Sequence, residues 1–148
     1  ARHSVPTLPF TYYPSAKDLA AQVDFLVAIT PGGAGTKHLI NGEVLKALGP
    51  KGFLINVARG SVVDEVALTH ALQNGTIAGA GLDVFANEPN VPEALWNLSN
   101  VVLTPHMASA TTETRQAMAD LAFANMQAGI SGQPLRTPVP ECMNMPQR

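Results

Sequence analysis

Short apolar stretches alternate along this chain with longer segments of helical spacing, and glycine, proline or asparagine separates most of them. Residues 24–30, 52–57, 77–84 and 100–103 are nearly continuous in apolar side chains, β-branched ones among them. That is the pattern of parallel strands covered on both faces. Between them, helices are predicted over 15–22, 42–48, 64–73 and 112–131. Ser15 and Asp18 have the spacing of a capping box, Asn41 and Asp64 stand where N-caps belong, and Thr112 with Glu113 opens the longest segment. Strand and helix taking turns predicts βαβ units and a doubly wound parallel α/β sheet. Beyond Gly132, Pro134, Pro138 and Pro140 remove the backbone donors that a helix or central strand needs, so 133–148 reads as an extended tail. The opening Ala1-Arg2-His3-Ser4-Val5-Pro6 has no initiator methionine and reads as the end of an element already under way. Residues 1–132 are therefore expected to be part of a domain that begins upstream.

Composition narrows the class. With 148 residues, 46% hydrophobic and 14% charged, the chain has the make-up of one globular domain. A domain of this size buries roughly 68–70% of the surface its unfolded chain exposes. The longest apolar run, Phe25 to Ile29, is far short of the ~18 residues of a membrane span, and nothing resembles a targeting segment. Nine basic against eleven acidic side chains give a net charge of −2, without a run of Lys or Arg, so nucleic acid is not an expected partner. The single cysteine, Cys142, cannot form an internal disulfide, which fits a reducing, cytoplasmic setting.

Ligands of open parallel sheets collect beyond the carboxyl ends of the strands. Four such ends carry chemistry here: Thr30-Pro31-Gly32-Gly33, Ala58-Arg59-Gly60-Ser61, Asp83 through Pro89, and Thr104-Pro105-His106-Met107-Ala108-Ser109. Singly, each charged residue has an ordinary explanation: Arg59 as a strand-end charge, Glu88 as a solvated loop acid, His106 as a turn histidine. As a set they offer a bidentate carboxylate clamp, a proton donor near neutral pH and an acid to orient it. That combination suits a small anionic carbonyl compound. Gly33-Ala34-Gly35 and Gly79-Ala80-Gly81 do not complete a G-x-G-x-x-G turn and read as turn or packing glycines. His3, His38 and His70 lack metal-ligand spacing, so no metal site is expected, and Ser61 lacks the G-x-S-x-G context of a hydrolase. Trp96 reads as a packing residue, with a subunit contact as the alternative.

Four blocks together resemble the carboxyl half of the D-isomer-specific 2-hydroxyacid dehydrogenases, of glyoxylate and hydroxypyruvate reductase type. They are Thr36-Lys37-His38-Leu39-Ile40-Asn41, the run from Leu54 to Glu65, Gly81-Leu82-Asp83-Val84-Phe85 through Glu88-Pro89, and Asn100 to Thr111. The resemblance implies an incomplete Rossmann-type domain and reduction of a small 2-oxo acid to the D-2-hydroxy acid. It implies that Arg59 binds the substrate carboxylate, His106 delivers the proton and Glu88 holds His106. It also assigns Thr30, Pro31, Thr36, Val57, Asp83 and Ala108 to the cofactor wall. If residues 1–4 occupy the end of the strand that selects the cofactor, Arg2 with His3 and Ser4 replaces the acid that would bind a ribose 2′-hydroxyl. NADPH is then preferred, with NAD as the alternative; Arg2 as a frayed terminal charge is the competing explanation.

The family's G-x-G-x-x-G turn and substrate domain would precede Ala1, so the 148 residues alone are expected to be inactive. Met107 stands where the family usually has isoleucine, a volume-conserving exchange. A homodimer is the family expectation for the intact protein. Because the family also contains transcriptional co-repressors, a non-enzymatic dinucleotide-sensing or dimerisation module is the rival function.

Overall fold

A computed structural model of the chain describes residues 5–7, 9–140 and 143. It divides into two compact units, residues 1–106 and 107–148. Arg2, His3, Ser4 and Cys142 lie outside the described residues.

The first unit is a Rossmann-type α/β layer. Strands β1 (Phe25–Ala28), β2 (Phe53–Asn56), β3 (Gly79–Leu82) and β4 (Val101–Leu103) form one sheet in the order β1-β2-β3-β4, every neighbouring pair parallel. Leu26, Leu54, Ala80 and Val101 stand abreast in the register. Helices α1 (Ala16–Ala20), α2 (Gly42–Leu48), α3 (Glu65–Gln73) and α4 (Glu93–Trp96) precede or link the strands. Side chains cap the starts of α1, α2 and α3. Asn41 Oδ1 accepts the Glu43 and Val44 amides, and Asp64 Oδ1 accepts that of Ala67. The expected Ser15–Asp18 capping pair forms, with the Asp18 amide on Ser15 Oγ at 3.0 Å.

The three connections between neighbouring strands all step the same way, and crossovers of one hand then lay their helices on one face of the sheet. Side chains alternate along a strand, so half of each strand turns toward those helices. Leu26, Ala28, Leu54, Ala80 and Leu82 share one buried cluster with Val44, Leu45 and Leu48 of α2 and Leu68, Ala71 and Leu72 of α3. The alternate positions do not follow. Phe25, Val27 and Val102 are exposed by 62%, 51% and 67%, and the Phe25 and Phe53 rings stack at 5.2 Å on that open side. Within these residues the helices cover one face of the strands, and apolar side chains on the other stay exposed. Trp96 is exposed as well, while its neighbour Leu95 does the packing.

In the second unit, α5 (Thr112–Ile130) is capped by Thr111, whose Oγ1 accepts the Thr114 amide at 3.1 Å. Residues 133–139 have no regular secondary structure. Asn125 fastens this segment to α5: its Oδ1 accepts the Arg136 and Thr137 amides and its Nδ2 donates to Thr137 Oγ1. Among the described residues, no helix is long and apolar enough to cross a membrane, and no group of three His, Cys, Asp or Glu could hold a metal ion.

Candidate active site

Parallel strands in register end together, so the loops that follow them share one rim of the first unit. There an open cleft of about 890 Å³ is lined by the β1 loop (Ile29 to Gly33), the β2 loop (Val57 to Ser61), Phe85, Ala86 and Glu88 after β3, and His106 after β4. Arg59, Glu88 and His106, separated by as many as 47 positions in sequence, line the same cavity.

Each is held by its own loop. Asn56, the last residue of β2 and almost fully buried, accepts the Ala58 amide on Oδ1 at 3.1 Å and donates Nδ2 to the Arg59 carbonyl at 3.2 Å. One amide side chain thereby fixes the turn that presents Arg59. The guanidinium also donates to the Ala58 carbonyl at 2.6 Å. Gly32 leaves room for this arginine, since a Cβ there would lie 2.9 Å from Arg59 Cγ. The β1 loop is closed by Thr36, whose hydroxyl donates to the Pro31 carbonyl at 2.7 Å. It is tied to the next loop by His38 and Ile40, whose amides donate to the Ser61 and Val62 carbonyls.

Glu88 faces two donors. Its Oε2 meets His106 Nδ1 at 2.7 Å, and its Oε1 accepts the Phe85 amide at 3.0 Å. The hydrogen bond from His106 is the main reason its carboxyl sits below the usual carboxylate range, with the Phe85 amide adding to the effect. His106 stands in the left-handed region, at φ 52°, immediately after the Thr104–Pro105 turn. Behind it, Thr104 Oγ1 donates to the buried Asp83 at 2.5 Å, and the Asp83 amide donates to the Asn56 carbonyl.

Of the residues assigned to a cofactor wall, Thr30, Pro31 and Val57 line the cleft. Thr36 shapes its loop from behind, Asp83 lies under Thr104, and Ala108 belongs to the second unit. Asn56 and Gly60 carry structural duties at the site that reading strand ends did not single out. The available signal for Asn56 was a polar residue inside an apolar strand; for Gly60 it was a glycine after the arginine.

Comparison with known proteins agrees with this architecture. The family described as D-isomer specific 2-hydroxyacid dehydrogenase, NAD binding domain, matches residues 3–108. Hydroxyphenylpyruvate reductase of Plectranthus scutellarioides is 53% identical over 139 residues, covering 94% of this chain and 44% of the relative. Glyoxylate/hydroxypyruvate reductase B of Pectobacterium atrosepticum is 53% identical over 116 residues, 78% of this chain and 36% of its own. Among solved structures, the NADPH-dependent glyoxylate/hydroxypyruvate reductase of Sinorhizobium meliloti in complex with NADP and malonate superimposes with a TM-score of 0.92 at 57% identity, covering 95% of this chain and 44% of that one. This chain therefore spans less than half the length of the relatives it matches. With that family matched over residues 3–108, most of the chain, and a Rossmann-type sheet beneath the cleft, the chain belongs to the D-isomer-specific 2-hydroxyacid dehydrogenases.

Proposed function

We propose that the natural polypeptide carrying this sequence reduces a small 2-oxo acid, of the glyoxylate or hydroxypyruvate type, to the D-2-hydroxy acid with NADPH. The observation that carries the proposal is the 2.7 Å Glu88–His106 pair opening on the same cleft as Arg59. The Arg59 guanidinium binds the substrate carboxylate through its planar fork and polarises the neighbouring carbonyl. Glu88 occupies Nδ1 of His106, which leaves Nε2 as the atom that delivers a proton to the carbonyl oxygen.

The residues around the cleft fit a dinucleotide. Thr30 Oγ1 is buried without a hydrogen-bond partner among the described residues, the rim offers the exposed apolar side chains of Ile29 and Val57, and Gly32 keeps the wall open beside Arg59. When bound, the cofactor supplies the hydride. Thr30, Pro31, Thr36, Val57, Asp83 and Ala108 would form its wall, with Arg2, His3 and Ser4 receiving the 2′-phosphate. The relative crystallised with NADP and malonate, a small dicarboxylate, supports both the cofactor and the anionic substrate class. A homodimer in the cytoplasm completes the proposal.

The test is NADPH consumption by the natural polypeptide with glyoxylate and hydroxypyruvate. Turnover is expected; tight NADPH binding without turnover would favour the sensing module instead. Equal efficiency with NADH, or an unchanged KM for NADPH in Arg2→Ala, would remove the NADP preference.

A further inference from the structure

Besides the three residues facing the cleft, one more acid reaches the loop that carries Glu88. Glu65 opens α3, where an acid in the first turn is ordinarily explained by the helix dipole. Its side chain does something more specific, because Oε1 accepts the Ala86 amide at 2.7 Å, across 21 positions of sequence. The same peptide group is approached by Gly60, where a Cβ would lie 1.8 Å from the Phe85 carbonyl carbon and 2.1 Å from its oxygen. The Phe85–Ala86 peptide is thus gripped by both ends of the 60–65 connection, its N–H by Glu65 and its C=O side by Gly60. One peptide further back, the Phe85 amide donates to Glu88 Oε1, the oxygen not used by His106.

We propose that Glu65 is a positioning residue for proton delivery: by holding the Ala86 amide it fixes the 85–88 loop so that Glu88 keeps its hold on Nδ1 of His106. It does not touch substrate or cofactor. The proposal rests on the reduction proposed above for its kinetic part only. The charged groups facing His106 are Glu88 directly and Arg59 across the cleft, with Asp83 acting through Thr104. Without Glu65 the loop relaxes and the Glu88 carboxylate spends less time on the imidazole, so Nε2 is aimed less often at the carbonyl oxygen.

Glu65→Ala and Glu65→Gln in the natural polypeptide separate this from a purely helical role. The glutamine loses the charge that a helix N-terminus favours but keeps an oxygen for the Ala86 amide. Glu65→Ala is expected to lower kcat roughly ten-fold with little change in the KM for NADPH. It should also loosen the hold on His106, read directly from its Nδ1–H resonance. Glu65→Gln should restore most of both. In the Glu88→Gln background, Glu65→Ala should add little, since contacting residues of one network are non-additive. Without substrate, the Nδ1–H proton resonance of His106 should broaden or vanish in Glu65→Ala and return in Glu65→Gln. Unchanged kinetics and resonance in a folded Glu65→Ala protein, equal losses in both variants, or full additivity with Glu88→Gln would each overturn the proposal. Absence of turnover in the unaltered protein, with the resonance responding as described, would sink the reductase assignment and leave the Glu65 link standing.

Discussion

Protonating Glu88 dissolves the contact that orients His106, and the direction of its shift sets when that happens. Its carboxyl is held below the usual range by the hydrogen bond from His106, then by the Phe85 amide. A depressed carboxyl contributes stability that is present above its unfolded pKa and fades as pH falls through the lowered folded value. The pair is partly solvated, with side-chain exposures of 49% and 35%, so its effect on overall stability is small and its effect on the imidazole is the one to measure. As pH falls through the lowered Glu88 value the contact that orients His106 is lost, so kcat/KM is expected to drop on the acidic side, and Glu88→Gln should remove that limb. His106→Ala should lower kcat by roughly 10²–10⁴-fold, the usual contribution of general acid catalysis, while NADPH binding stays near its original strength. A kcat near that of the unaltered protein would remove His106 from the reaction. At this scale Arg59, Glu88 and His106 were legible because each follows an apolar run, where parallel sheets gather ligands. Asn56 and Glu65 were not, because their partners are backbone amides and carbonyls that carry no residue code. Arg2, His3 and Ser4 lie outside the described residues, so their part is still to be tested by Arg2→Ala.

Among the elements, those with an apolar period and a capping side chain were readable, and those defined by close approach were not. The helix expected over 42–48 forms over Gly42–Leu48, with Asn41 accepting two amides at its start. Helix α4 escaped notice because it runs for only four residues and starts after Pro92, which offers no side-chain cap. Backbone proximity is equally silent in sequence: nothing in Arg59-Gly60-Ser61 tells that Gly60 lies against the Phe85–Ala86 peptide. The two kinds of feature predict different costs. Asn41→Ala should destabilise by about 1 kcal/mol, the typical value of an N-cap. Gly60→Ala must displace a backbone carbonyl rather than a flexible side chain, so it should cost at least about 3 kcal/mol, the top of the usual overpacking range. Urea unfolding of both variants checks the order, and a Gly60→Ala protein as stable as Asn41→Ala would show that the 85–86 peptide yields easily.

The sheet of the first unit has the hydrophobic content of a two-sided α/β layer, and its own helices cover one side. Apolar runs reveal that a strand is buried somewhere, but a run of alternating faces does not say which stretch of chain covers each. Phe25, Val27, Phe53 and Val102 therefore leave a cluster of apolar side chains facing solvent, larger in character than the scattered single apolar residues of ordinary surfaces. Prepared as these 148 residues alone, the protein is expected to light up the dye ANS and to self-associate as concentration rises. Val27→Thr with Val102→Thr should dim the dye and slow the association, both substitutions keeping strand-forming side chains. A dark, monomeric chain at high concentration would contradict this. In practical terms, the shelf life of a preparation of this sequence will be decided by what shields those apolar side chains rather than by the chemistry at the rim.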